Sequence, residues 1–243
     1  MSGMNPVRFG IVLTYDCNLR CQGCNRYLDM MRVPNSDIGL DDIQEGYNRV
    51  VAAKIEIRKC RVTGGEPLLH PQFVEAVTLI GQTWNKDYGG RTCVFTNGTQ
   101  AMPKQGRSWR YKSSAATDRD AAFWPSMLSP ADLGLEPVLG GEKQCKIQAG
   151  CGRLFDAFGF GFCIFAGPLG RLLGIDRYAA RPLLEGRPEI CKHCQFSQPA
   201  NIRARLFAQQ RAGTLEGGYP TKTFRRAVAE GDFMLDIPRF KER

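Results

Sequence analysis

Residues 14–24 read Thr-Tyr-Asp-Cys-Asn-Leu-Arg-Cys-Gln-Gly-Cys, so Cys17, Cys21 and Cys24 are separated by three and then two residues. Cysteines this close on one loop can bind a [4Fe-4S] cluster through three of its four irons. The fourth iron is then open to a small molecule, as in a catalytic metal site with an open position. Two alternatives remain from the spacing alone: a zinc knuckle, which would need a fourth ligand, and a reduced set of unrelated cysteines.

A second motif follows the next apolar run of the chain. Residues 62–67 read Val-Thr-Gly-Gly-Glu-Pro and end a run that starts at Ile55. Two glycines let a backbone approach a ligand closely, and their carbonyl oxygens can accept hydrogen bonds from an ammonium group. A Gly-Gly pair after a strand is, however, more often an ordinary turn.

The two motifs in this order resemble the signature of the radical S-adenosylmethionine (SAM) superfamily. The resemblance implies that the cysteine triad binds a [4Fe-4S] cluster whose open iron holds the amino and carboxylate groups of SAM. Reductive cleavage then gives a 5'-deoxyadenosyl radical that abstracts hydrogen from the substrate. The resemblance assigns the methionine amine to Gly64, Gly65, Glu66 and Pro67. Family members often have an aromatic residue before the third cysteine, near adenine, but this chain has Gly23, so we expect the adenine contact elsewhere.

Apolar strands alternate with amphipathic helices in the first hundred residues. The pattern predicts strands at Arg8–Thr14, within Ile55–Thr63 and at Thr92–Thr96, with a helix at Asp41–Lys54. Such alternation indicates a parallel α/β sheet with its active site at the carboxyl ends of the strands. Asn97 follows the third strand and is a further candidate for SAM binding, although a turn-forming asparagine is an equally good interpretation.

Five further cysteines lie in the second half of the chain. Cys191 and Cys194 form a two-residue-gap pair of the kind that binds zinc or iron-sulfur clusters, and Cys163 follows the glycine turn of an apparent hairpin. This arrangement resembles the SPASM and twitch extensions of radical SAM enzymes, which carry auxiliary [4Fe-4S] clusters. The resemblance makes ligands of Cys163, Cys191, Cys194 and one of Cys145 and Cys151, with Cys145 favoured by its distance to Gly159.

A structural zinc site is the alternative for this second group, since four thiolates suit zinc equally well. The spare thiol is then either inert packing or a hydrogen-atom donor to a product radical. The chain as a whole is therefore expected to be α/β, with a partial (β/α) radical SAM barrel at residues 1–114. A linker and twitch-like auxiliary cluster domain would follow at 115–200, and a basic carboxyl-terminal extension at 201–243.

The charge and composition of the chain limit the kinds of binding partner and the compartment that we expect for it. The chain has 243 residues and a formal net charge of +9, which favours acidic partners. The basic residues are spread out without interleaved aromatics, so nucleic acid is not expected. No signal peptide is visible, which indicates a reducing, cytoplasmic compartment where cysteines serve metals. The apolar run at 158–169 is shorter than the ~20 residues of a membrane span, so no membrane partner is expected.

These observations predict a radical SAM enzyme, with SAM and two [4Fe-4S] clusters as cofactors and with catalytic side chains that the motifs do not identify. The expected substrate is a small polar or anionic metabolite, or a peptide. A reductant such as flavodoxin or ferredoxin would supply electrons. The alternative is an iron-sulfur electron-transfer or zinc-binding module without radical chemistry, which would have no use for the motif at 64–67.

Overall fold

A seven-stranded mixed sheet organises the part of the chain that the computed structural model describes, residues 6–21, 24–28, 31–104, 109–113, 127–138, 145–176, 178–182, 189–230 and 237–242. The strand order is β4-β3-β2-β1-β5-β6-β7. The strands are β1 Val7–Val12, β2 Ile57–Thr63, β3 Thr92–Thr96, β4 Trp109–Ser113, β5 Arg153–Asp156, β6 Gly159–Gly161 and β7 Tyr178–Ala179. The helices are α1 Leu40–Ala52, α2 Phe73–Gln82, α3 Lys146–Cys151, α4 Ala166–Leu172, α5 Ala200–Arg211 and α6 Lys222–Glu230.

The first half of the sheet is a parallel α/β unit, as the sequence predicts. Strands β1 to β4 all pair in parallel, with α1 between β1 and β2 and α2 between β2 and β3. Strand β3 has the predicted bounds. Gly23 and residues 115–126 lie outside the described residues, so the predictions that fall on them stay predictions. The parallel pairing brings the carboxyl ends of β1, β2 and β3 to one edge.

A hairpin from the second half of the chain joins the same sheet beside β1. Strand β5 pairs in parallel with β1, matching Gly10 with Leu154, and β6 returns antiparallel, matching Phe155 with Phe160. The predicted hairpin is therefore confirmed, with Gly159 at its turn at a φ of 124°. It extends the sheet of the first half, while the predicted domain boundaries at 114 and 200 stay predictions.

An aromatic cluster joins the two halves of the molecule in one core. The ring centroids of Phe9 and Trp84 are 5.2 Å apart, and those of Phe155 and Phe160 are 4.5 Å apart. Phe240, near the carboxyl end, contacts Phe155 edge-on at 5.1 Å. All five side chains are nearly fully buried, and close-packed aromatic pairs of this kind stabilise a core beyond their buried area alone.

A second, smaller core lies under the carboxyl-terminal helices. Leu128 packs there with Leu206 and Phe207 of α5 and with Leu215. The sequence does not predict α5, because few apolar residues recur along this helix at helical spacing. Within the described ranges, the structure has no helix that is both long and apolar enough to cross a membrane.

Candidate functional site

A cavity of about 280 Å³ opens at the carboxyl ends of β1, β2 and β3. Cys17, Cys21 and Cys24 all line it, together with Gly64 and Gly65. The remaining residues of its wall are Gly10, Leu19, Asn25, Arg26, Leu28, Arg61, Thr63, Phe95, Thr96, Asn97, Cys151, Ile164 and Phe165. The structure therefore brings the cysteine triad and the Gly-Gly pair to one cavity, although about 40 residues separate them in sequence.

The Gly-Gly turn packs directly against the loop that carries the triad. The Gly65 amide donates to the Thr14 carbonyl at 2.8 Å, and the Glu66 amide donates to the Asp16 carbonyl at 2.7 Å. A Cβ atom added at Gly65 would lie 2.3 Å from the Asp16 oxygen, and one at Gly64 would lie 2.7 Å from the Thr14 oxygen. The two glycines are thus needed for close packing of these loops, a role that the motif alone did not reveal.

The Glu66 carboxylate bridges the Gly-Gly turn and the end of β3. It is fully buried and accepts from the Thr96 hydroxyl at 2.8 and 2.9 Å, from the Asn97 amide at 2.7 Å and from the Leu68 amide at 3.1 Å. Neither Glu66 nor Pro67 lines the cavity. Thr63 and the two glycines of this motif reach the cavity wall, and the contact of Glu66 and Pro67 with the methionine amine stays a prediction.

Asn97 has the turn role that its sequence position suggested, and its contact with SAM stays a prediction. Its Nδ2 group donates to Asn18 Oδ1 at 2.9 Å and lies 3.8 Å from the Cys17 sulfur, within hydrogen-bond reach for sulfur. Its Oδ1 atom accepts from the Thr99 amide at 2.9 Å, which forms a turn around the side chain. Asn97 is therefore a turn residue whose amide also contacts a predicted cluster ligand.

Comparisons with known proteins agree with this geometry. Residues 11–107 match the family model of the radical SAM superfamily. The chain carries a radical SAM domain. The GTP 3',8-cyclases of Chlorobaculum tepidum and Synechocystis sp. are 36% and 35% identical to it over 88 residues, or 36% of this chain. Those 88 residues span 24% and 25% of the two relatives, so the chain matches about a quarter of their length.

Two solved structures resemble the chain weakly. The structure of BtrN in complex with AdoMet and 2-DOIA has a TM-score of 0.43 at 12% identity, covering 88% of this chain and 89% of that one. The structure of Streptococcus suis SuiB bound to S-adenosylmethionine has a TM-score of 0.31 at 15% identity, covering 44% of this chain and 22% of that one. At these scores the overlap does not establish a shared architecture for the whole chain.

The radical SAM family implies a [4Fe-4S] cluster and SAM, and the donor set on the cavity fits the cluster. Burial raises the pKa of the Cys17 thiol, and the nearby thiols of Cys24 and Cys21 raise it further. Among the described residues, no three Cys, His, Asp or Glu side chains come close enough to hold a single metal ion. Three cysteine thiolates from one loop match the ligands of a [4Fe-4S] cluster and leave one iron open.

The thiols of the second group of cysteines influence one another's pKa, and one of them also lines the cavity. Burial raises the pKa of the Cys194 thiol, with Cys163, Cys191 and Cys145 contributing in the same direction. Burial likewise raises the pKa of Cys163 to about 11, with smaller effects from Cys145 and Cys151. Cys151, at the end of α3, also lines the cavity with the triad. Cys151 therefore lies near Cys163 as well as on the cavity wall, and the choice between Cys145 and Cys151 as a ligand stays a prediction.

A buried polar network that sequence reasoning missed ties the triad loop to the hairpin. The Tyr15 hydroxyl donates to Asp156 Oδ2 at 2.7 Å, and the Tyr178 hydroxyl donates to the same atom at 2.8 Å. Arg171 donates to the Tyr178 hydroxyl at 2.8 Å and lies over the Phe158 ring at 3.9 Å. Burial raises the pKa of Asp156, while Arg171 opposes the shift. No local sequence pattern predicts these contacts, because Tyr15 and Asp156 are 141 residues apart.

Proposed function

We propose that the chain cleaves SAM reductively to methionine and a 5'-deoxyadenosyl radical, which then takes a hydrogen atom from a C–H bond of a small polar or anionic substrate, or of a peptide. The observation that carries this proposal is the single cavity shared by Cys17, Cys21, Cys24 and the Gly64–Gly65 backbone. An electron carrier has no need for a ligand cavity beside its cluster. The products would be 5'-deoxyadenosine and a substrate radical.

The residues on the cavity wall have distinct roles in this proposal. The triad would hold the cluster, which when bound supplies one electron to SAM. The Gly64 and Gly65 backbone would orient the methionine end of SAM, since the absence of side chains leaves their peptide groups accessible. Glu66 would hold this turn in place through Thr96. Apolar wall residues would exclude water from the radical.

An auxiliary [4Fe-4S] cluster on Cys145, Cys163, Cys191 and Cys194 belongs to the same proposal. The mutual influence of these thiols on one another's pKa supports their proximity. Such a cluster would accept an electron from the substrate radical or bind substrate. Zinc is the competing occupant, and iron analysis of anaerobically purified protein distinguishes the two.

The identity of the substrate does not follow from the relatives. The GTP 3',8-cyclases are similar to this chain over 88 residues. GTP is therefore one compound to test among anionic metabolites. A flavodoxin or ferredoxin is the proposed reductant, because the cleavage consumes one electron per SAM.

Anaerobic reconstitution with iron, sulfide, SAM and dithionite tests the proposal. The wild-type chain should release 5'-deoxyadenosine, and Cys17→Ala should abolish that release because the cluster loses a ligand. Cys93→Ala is the matched control, since Cys93 lies on β3 outside both cysteine groups and should retain activity. Undiminished cleavage in a Cys17, Cys21 and Cys24 triple variant would refute the proposal. Clusters without any SAM cleavage would favour an electron-transfer module.

A further inference from the structure

The cavity wall carries two positive charges and no negative one. Arg26 and Arg61 are the charged side chains among its described lining residues, and no Asp or Glu is with them. No carboxylate of the described ranges lies within ion-pair distance of either guanidinium. A cavity with this composition favours an anionic occupant.

Arg26 is the stronger of the two indications because it is buried without a counterion. Its residue is 6% exposed, and its Nε atom has no hydrogen-bond partner among the described residues. Nη1 makes only a long contact of 3.5 Å with Asn25 Oδ1. A guanidinium has five donors, and burying its charge without a partner is costly. An anion in the cavity would remove that cost.

Arg61 reaches the cavity from β2, the strand next to β1. It pairs in register with Gly10 of β1 and with Cys93 of β3, at the centre of the parallel strands. Its guanidinium lies 5.8 Å from the centroid of the Phe95 ring, and that of Arg26 lies 5.6 Å from the Phe165 ring. Stacking on a ring leaves the edge donors of a guanidinium free for a planar anion.

We infer that Arg26 and Arg61 form an anion subsite that binds a carboxylate or phosphate group of the substrate inside the SAM cavity. Arginine forks bind both groups through paired hydrogen bonds, and the flanking rings of Phe95 and Phe165 lower the local dielectric and strengthen them. The subsite would anchor the substrate so that its C–H bond faces SAM. This inference rests on the proposed function for that last step, but not for the binding of the anion itself.

Equilibrium dialysis of the anaerobically reconstituted chain with labelled inorganic phosphate and labelled succinate tests the subsite. SAM is present throughout. Arg26→Gln and Arg61→Gln should each weaken binding of at least one probe by about tenfold or more, as expected for a charge-assisted hydrogen bond. Arg91→Gln is the control: it removes the same charge from an exposed residue just before β3, at the opposite end of that strand, and should change nothing.

Three results would overturn the inference. Equal binding of both probes by all variants would mean that no subsite exists. A loss of SAM affinity with unchanged probe binding would assign the arginines to the SAM carboxylate. A shifted cluster reduction potential with unchanged probe binding would make them counterions of the cluster. If Arg26→Gln loses iron, probe binding by Arg61→Gln tests the subsite instead, because Arg61 lies outside the triad loop. Probe binding that depends on both arginines in a chain that fails to cleave SAM would leave the subsite intact and refute the proposed function alone.

Discussion

Gly65→Ala is the substitution that best separates the structural role of the Gly-Gly turn from its role in ligand binding. The motif alone suggests that a side chain here would block SAM and leave the cluster intact. The structure predicts otherwise, because the new Cβ atom would lie 2.3 Å from the Asp16 oxygen and 2.8 Å from the Tyr15 oxygen. Both atoms belong to backbone directly before Cys17, so the triad loop itself would have to move.

The expected cost follows from two contributions. Overpacking of this kind costs about 1–3 kcal/mol. The shift also strains the amide hydrogen bonds from Gly65 to Thr14 and from Glu66 to Asp16, each worth about 0.5–1.5 kcal/mol. We therefore expect Gly65→Ala to lower the free energy of unfolding by about 2–6 kcal/mol. The iron content at the triad should fall together with SAM affinity.

Urea unfolding of the anaerobic protein, with iron analysis and SAM binding on the same sample, measures these effects. Gly150→Ala is the control, because a Cβ atom there meets nothing within 4 Å and its φ is not positive. Alanine is the better helix former, so this variant should be stabilised by up to about 1 kcal/mol. A Gly65→Ala protein with normal stability and full iron that has lost only SAM affinity would refute the packing argument.

Two further predictions concern the environment of the clusters. Asn97→Ala removes an amide donor from the Cys17 sulfur and should make the reduction potential of the cluster on the triad more negative by about 20–40 mV. This shift corresponds to a hydrogen bond that stabilises the reduced state by roughly 0.5–1 kcal/mol. A redox titration without SAM that shows no shift would contradict this prediction. Cys163→Ala should remove about four irons per chain, as for one cubane, whereas Cys151→Ala should retain full iron; equal losses in both would place Cys151 among the auxiliary ligands.

The sequence predicted the parallel half of the molecule well because its signals are local. Strand β3 is bounded by polar residues and ends where predicted, and the triad and Gly64 follow strands whose carboxyl ends must meet. The proximity of the two motifs was therefore predictable without coordinates. The inward direction of the Glu66 side chain was not, because a motif names a residue without stating which atoms face the ligand.

Contacts between distant parts of the chain could not be predicted from the sequence. The parallel pairing of β5 with β1 joins segments more than 140 residues apart, and both short strands are apolar enough to pair in several ways. The buried network of Tyr15, Asp156 and Tyr178 depends on that pairing. The burial of Arg26 was equally unpredictable, because nothing in the sequence indicates that an arginine two residues after a cysteine will be buried.

The pairing of β5 with β1 also explains why Cys151 differs from its neighbours in the second group. Helix α3 ends at Cys151, and Gly152 follows it with a φ of 94°. Gly152 lies so close to β1 that a Cβ atom added to it would be 2.5 Å from the Arg8 carbonyl oxygen. That approach places Cys151 on the wall of the cavity, whereas Cys145, which directly precedes the same short helix, is not among the lining residues described. Helix α3 therefore separates the two thiols along the chain, although both influence the pKa of Cys163.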